Sequence, residues 1–315
     1  MGRVWWNEFF ASGRGARQAM SAGDTVFLDY DQAALDRAYD QSSWAPNRED
    51  VLARRAAASD AVRARRHPQS FAYGPTTIER LDVYAAPRPQ APVMVFLHGG
   101  AWRGGDARSQ AFAAETFVNA GVHWVVPDFA TVMDAGLEGM VQQVRRAVAW
   151  VAANAARFDG DSTRIYVGGH SSGGHLAGNV LITDWAREFD LPADLVKGGL
   201  CMSGMYDLKP VRLSARSSYV KFDDRIEHEL SPIRHLDRLR CPVVVAYGER
   251  DSPEFQRQSR EWAQALRTTG RLQSLVVGEG LNHFELPETL ADPSSALAQA
   301  VLALLAPRRA EQRLA

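Results

Sequence analysis

From about residue 80 onward, this 315-residue chain alternates short, unbroken apolar runs with longer amphipathic stretches. The runs are Arg80–Tyr84, Val93–Leu97, Val122–Val126, Arg164–Val167, Gly198–Met202, Val243–Tyr247 and Leu272–Val277. Helical patterns lie between them, notably over Gly139–Phe158, Gly173–Trp185, Pro253–Thr268 and Glu288–Leu305. A strand with one wet face reads as apolar–polar alternation, whereas one covered on both faces reads as a continuous Val/Ile/Leu run. Strands of the second kind, separated by helices, predict an α/β fold: a mostly parallel central sheet flanked by helices.

Before about residue 70 there is no strand-like run. That part carries aromatic anchors at Trp5, Trp6, Phe9, Phe10 and Trp44 and a helical pattern from Glu49 to Arg66, so residues 1–70 read as an N-terminal helical cap segment. Residues 71–306 form the α/β unit, and the polar interval 205–240 interrupts its rhythm. A stretch of that length between two strands is expected to be a lid-like insertion or a pocket wall. The charged tail 307–315 is expected to fray.

The overall balance excludes several function classes. The formal net charge is -1, and the Arg-rich stretch Arg54 to Arg66 is interleaved with Ala and Val at helical spacing, as on the solvated face of a helix. No nucleic-acid partner is expected. Cys201 and Cys241 each sit in or beside an apolar run, so both read as buried thiols rather than a disulfide framework. The N-terminus lacks a signal peptide's apolar core, and no run nears the roughly 18 apolar residues of a membrane span. These absences favour a cytoplasmic protein without membrane contact.

The sharpest motif is Gly169-His170-Ser171-Ser172-Gly173, a G-x-S-x-G sequence with a strand pattern before it and a helix pattern after it. A serine on so tight a strand-to-helix turn is lifted above the sheet, and side chains two residues either side would collide. Ser171 is therefore the candidate nucleophile. Ser172 as nucleophile would need glycine at 170, where His170 stands. Upstream, His98-Gly99-Gly100-Ala101-Trp102 follows a strand directly. Acyl transfer passes through an oxyanion that preorganised N–H groups must meet, which makes Gly99, Gly100 and Ser172 the candidate donors. His98 reads as a brace for that loop.

The expected chain order is nucleophile, acid, base. Asp251 follows the run Val243–Tyr247 and His283 follows Leu272–Val277, each at a strand's C-terminal end. They become the candidate acid and base, with Asp207 and Glu249 as competing acids. His170 and His175 stand five apart, which is not zinc-helix spacing, and His67, His123, His228 and His235 show no partner pattern. No metal and no cofactor are expected.

Taken together, these motifs resemble the kynurenine formamidase (arylformamidase) branch of the α/β-hydrolases, related to the carboxylesterases. The resemblance rests on the HGGxW motif at His98–Trp102, on Gly169–Leu176, on Ser203–Leu208, on Asp251–Phe255 and on His283-Phe284-Glu285, and it covers about residues 75–305. Tyr39-Asp40-Gln41 through Ala45-Pro46-Asn47 is similar to that branch as well. It implies an α/β-hydrolase fold and hydrolysis of a small ester or aryl amide by Ser171, Asp251 and His283, with Gly99 and Gly100 in the oxyanion loop. Peptidase or lipase-like hydrolysis is the alternative within enzymes, and a non-catalytic binding protein on the same scaffold the alternative outside them. Trp102, Tyr206, Tyr219, Phe222 and Phe284 are candidate pocket walls, each equally readable as core. A homodimer is compatible with such an enzyme. The segment before about Asp29 exceeds what the family needs and reads as a cap addition or an upstream start, Met20 being the alternative start.

Overall fold

A computed structural model describes residues 24–306. The anchors Trp5, Trp6, Phe9 and Phe10, residues 1–23 of the N-terminal extension and the tail 307–315 lie outside them. Eight strands form one sheet: β1 (Gln69–Ala72), β2 (Arg80–Tyr84), β3 (Ala91–Leu97), β4 (His123–Pro127), β5 (Gly160–His170), β6 (Val196–Met202), β7 (Val243–Gly248) and β8 (Leu272–Gly278). Their spatial order is β1-β2-β4-β3-β5-β6-β7-β8, with β2 antiparallel to both its neighbours, β1 and β4, and every other pairing parallel. This is the α/β-hydrolase fold.

Strand periodicity explains the two-sided core. All seven residues of β3 are buried. Val93, Val95 and Leu97 join the cluster under Val132–Asn154, Ser172–Leu181 and Pro253–Thr268, while Met94 and Phe96 join the opposite cluster with Phe112, Phe117 and Val301. Successive side chains on a strand alternate faces, so both layers take apolar residues from one run.

The apolar runs did not reveal β1, an edge strand with three of its four residues exposed. The single helix expected over Glu288–Leu305 is two pieces, a 3₁₀ turn at Leu286–Ala291 and a helix at Ala296–Leu305. Pro293 lies between them, and Ser295 restarts the helix by accepting a hydrogen bond from Ala298 N at 3.0 Å. The helix expected from Gly139 starts earlier, at Val132, but Gly136 at φ 66° breaks its first turn. Segment 205–240 folds into five short helical turns. Among the described residues no helix is long and apolar enough to cross a membrane.

Candidate active site

β5 ends at His170 and a helix begins at Ser172, leaving Ser171 alone at the turn with φ 58° and ψ -122°. That conformation is strained for a residue with a Cβ and persists only where its surroundings enforce it. Enforcement comes from both sides: Ser171 N donates to Met202 O at 2.9 Å on β6. At Gly173, a Cβ would lie 2.1 Å from Leu97 O and 2.5 Å from His98 O, so only glycine lets the helix approach the end of β3. The resulting turn sets Ser171 Oγ 2.9 Å from His283 Nε2, a distance at which the hydroxyl donates to the bare ring nitrogen.

His283 Nδ1 lies 3.5 Å from Asp251 Oδ1, and the three side chains are almost fully buried. The second Asp251 oxygen accepts from Ser203 Oγ at 2.6 Å. Ser203 was not singled out from sequence, although it opens the Ser203–Leu208 stretch. The competing acids point elsewhere. Asp207 Oδ1 accepts from Arg234 Nη2 at 2.8 Å, and Glu249 Oε2 accepts from Gly280 N at 2.6 Å. The His170 ring lies 4.6 Å from the His283 ring, tilted 46° to it. Burial, then the neighbouring His283 and Arg55, hold its imidazole well below the usual range, so it adds no second cation beside the base.

The loop after β3 lies against Ser171. A Cβ on Gly99 would be 3.2 Å from Ser171 Cβ, and Gly100 sits at φ 128°, where a Cβ would lie 2.1 Å from Gly104 O. Ala101 and Trp102 continue at φ 53° and 61°, so three consecutive residues, Gly100 to Trp102, hold left-handed backbone. His98 stacks on Phe129 at 4.1 Å and its Nδ1–H donates to Gly99 O at 3.0 Å. Ser172 opens the following helix, where the first N–H groups have no intrahelical acceptor. Gly99 and Gly100 line the same cavity as Ser171, and Ser172 follows it at the start of the helix.

Kynurenine formamidase of Danio rerio is 32% identical over 285 residues, 86% of this chain and 95% of that protein. The Salmo salar kynurenine formamidase is 30% identical, with 88% and 97% covered. The chain belongs to the kynurenine formamidase-like esterase family of the α/β-hydrolases. The family model BD-FAE matches residues 81–197, from β2 through the elbow helix to the start of β6. The hyperthermophilic esterase of Pyrobaculum calidifontis superposes with a TM-score of 0.66 at 21% identity, covering 87% of this chain and 96% of that one, a likeness of fold.

A cavity of about 730 Å³ opens beside Ser171 and His283. Of the five aromatic residues considered as its walls, Tyr219 and Phe284 line it. The other three do not. Tyr206 is fully buried, stacked on Trp262 at 5.0 Å with its hydroxyl accepting from Gly204 N, and Phe222 packs against the main core. Trp102 is a strut: its indole N–H donates to His175 Nδ1 at 3.3 Å, and His175 Nε2–H donates to Leu230 O at 2.8 Å. One neutral imidazole thus ties the glycine loop, the elbow helix and segment 205–240 together.

That tie has a pH consequence. Burial, opposed by the hydrogen bond to Leu230, pushes the His175 imidazole from 6.5 down to about 4. Between those values the unfolded chain binds a proton that the folded one refuses. Stability from this group is intact above pH 6.5 and declines as pH falls toward 4, by roughly 3 kcal/mol in total. Burial lowers His98, His123 and His170 too, so they steepen the same decline. A His175→Gln variant, already less stable at neutral pH, should lose less Tm than wild type between pH 6.5 and 4; equal losses contradict this account.

The N-terminal helices supply what the sequence motifs left out. Ser252, next to Asp251, donates to Ala38 O at 2.6 Å and accepts from Gln41 Nε2 at 3.0 Å. Asn282, next to His283, donates to Asn47 Oδ1 at 2.7 Å, and Asn47 in turn donates to Glu285 Oε1 at 2.7 Å. Residues 38–47 therefore brace both the loop that carries Asp251 and the loop that carries His283. Remote in sequence but adjacent in space, they carried no local signal beyond the likeness of Tyr39–Gln41 and Ala45–Asn47 to the family. The fold also gathers His228, Glu229 and His235, whose ligand-type atoms lie within 4.8 Å of one another, on segment 205–240. None of the three lines the cavity, and His235 Nε2–H is engaged with His228 O at 2.9 Å.

Proposed function

We propose that this chain is a serine hydrolase cleaving a small carboxylic ester or an aryl amide or formamide through an acyl-enzyme. Ser171 is the nucleophile, His283 the general base and acid, and Asp251 the orienting carboxylate. The observation that carries this reading is the 2.9 Å approach of Ser171 Oγ to His283 Nε2 at a strained, glycine-flanked elbow. As Oγ attacks the acyl carbon, His283 removes its proton, and Asp251 stabilises the imidazolium and fixes its tautomer. The carbonyl oxygen becomes an oxyanion received by the N–H groups of Gly99, Gly100 and Ser172, each donor contributing roughly 2.7–4 kcal/mol. Collapse expels the alcohol or amine, which takes its proton from His283. Water, deprotonated by the same imidazole, then releases the acid. Every proton and charge in this sequence is handled by a side chain or N–H group of the chain itself. The Nδ1–Oδ1 separation of 3.5 Å suits a resting site whose hydrogen bonds tighten with substrate bound.

An alkyl fluorophosphonate should add one equivalent to the protein, and peptide mass mapping should locate the adduct on Ser171. Adduct on another serine, or continued hydrolysis by the fully labelled protein, overturns the assignment. Formamide against ester preference follows from ranking kcat/KM over N-formylkynurenine, aryl acetamides and p-nitrophenyl esters. The formamidase names of the vertebrate relatives favour the first of these.

A further inference from the structure

The hydrolytic reaction does not account for the charge of the cavity. Four arginines line it against two aspartates. Both aspartates are engaged by neutral donors: Asp36 accepts from Ala215 N at 2.6 Å and Gln32 Nε2 at 2.9 Å, and Asp40 from Ser42 N at 3.1 Å and Ser43 Oγ at 2.7 Å. Of the arginines, Arg48 pairs with Glu49 outside the cavity. Arg55, Arg103 and Arg216 have no ion-pair partner among the described residues, and their contacts are of other kinds.

Arg216 is the extreme case. It is buried, its Nη2 donates to Tyr39 O at 2.9 Å, and its Nη1 lies 3.6 Å from Met205 S. The rings of Tyr39, Trp102 and Phe255 surround its guanidinium at 5.5, 5.7 and 5.8 Å. Ring faces attract a cation without neutralising it. Arg103 spreads over Tyr219 at 4.2 Å on the same wall and repels Arg216, while Asp40 attracts it without forming an ion pair. Arg55 is buried with its Nε unpartnered, a long 3.4 Å contact from Nη2 to Gln110 Oε1 and its guanidinium 4.9 Å from the Phe112 ring; desolvation, opposed by Glu288, pushes its guanidinium down to about 10. A buried charge without a counter-charge costs several kcal/mol. Two such groups, Arg55 and Arg216, line one cavity with the exposed Arg103, and an anion bound there would supply the missing counter-charge.

We propose that Arg103 and Arg216, with Arg55 behind them, form an anion subsite, and that the molecule hydrolysed at Ser171 bears a carboxylate away from its scissile bond. This rests on the hydrolase reading above. A guanidinium fork matches a carboxylate in shape and hydrogen bonding. Asp36 and Asp40 on the same wall disfavour a dianion, which selects a carboxylate over a phosphate monoester. The arginines set specificity and bind no reacting atom.

Two isosteric pairs of probes test it. Mono-p-nitrophenyl glutarate against p-nitrophenyl glutaramate places the charge on the acyl part, and 4-acetoxybenzoate against 4-acetoxybenzamide places it on the leaving part. In one pair the wild type should prefer the anion by about tenfold or more in kcat/KM, the difference lying in KM. Arg103→Gln, at an exposed position and safe for folding, should reduce that ratio several-fold, and Arg216→Lys should reduce it less than Arg216→Gln. No preference in either pair overturns the proposal, as does a ratio unchanged in both Arg103→Gln and a folded Arg216→Gln. Neutral probes report separately on the reaction: if their hydrolysis survives Ser171→Ala, the hydrolase reading has failed. If it requires Ser171 and the ratio is near one, only the subsite has.

Discussion

Replacing Ser171 by alanine should lower kcat for p-nitrophenyl acetate by roughly 10⁴- to 10⁶-fold while leaving the folded state intact. The effect is large because the proposed reaction forms its acyl bond at that hydroxyl, with no other hydroxyl among the described residues placed to substitute for it. Ser172 carries the next hydroxyl, but its position at the start of the helix directs its backbone N–H toward the turn. Stability should hardly change. Ser171 Oγ has one side-chain partner, His283, and the turn is held by Ser171 N on Met202 O and by the close approach at Gly173, neither of which involves the hydroxyl. A variant that retains more than about a hundredth of the wild-type kcat refutes the nucleophile assignment. Loss of activity accompanied by loss of the thermal transition would show only that the elbow had collapsed.

How much of this was readable in advance depends on how local each signal is. The buried strands announce themselves because a strand covered on both faces must be apolar throughout, as β3 is. The edge strand β1 pairs on one side only and is mostly exposed, so it carries no such run. The glycines at 99, 100, 169 and 173 are legible because backbone geometry at a tight turn admits few other residues. Trp102 and Tyr206 show the opposite case. Large aromatic residues beside catalytic motifs suit a pocket wall or a core equally well, and only the partners decide. For Trp102 the partner is His175, and for Tyr206 it is Trp262. The bracing residues Gln41, Asn47 and Ser203 act through contacts across tens to hundreds of positions in sequence, with side chains too common to stand out.

Asp251→Asn should cost about 10⁴ in kcat, because an amide can no longer stabilise the imidazolium and can hold the ring in the wrong tautomer. Asp207→Asn is the control. Its carboxylate is committed to Arg234 at 2.8 Å and to Lys209 N at 3.2 Å, so that change should alter stability modestly and kcat hardly at all. If the two variants behave the other way round, the acid is Asp207. Ser203→Ala separates charge from position. It removes the 2.6 Å donor to Asp251 Oδ2 but keeps the negative charge, leaving one oxygen of a buried carboxylate short of a hydrogen bond, a defect worth about 1–3 kcal/mol. Part of that defect should appear as a loss of kcat of roughly tenfold, since a carboxylate free to turn meets His283 Nδ1 less often. The expected order is therefore Asp251→Asn far below Ser203→Ala, with Asp207→Asn near wild type. That order would show that the carboxylate acts through both its charge and the direction in which Ser203 holds it.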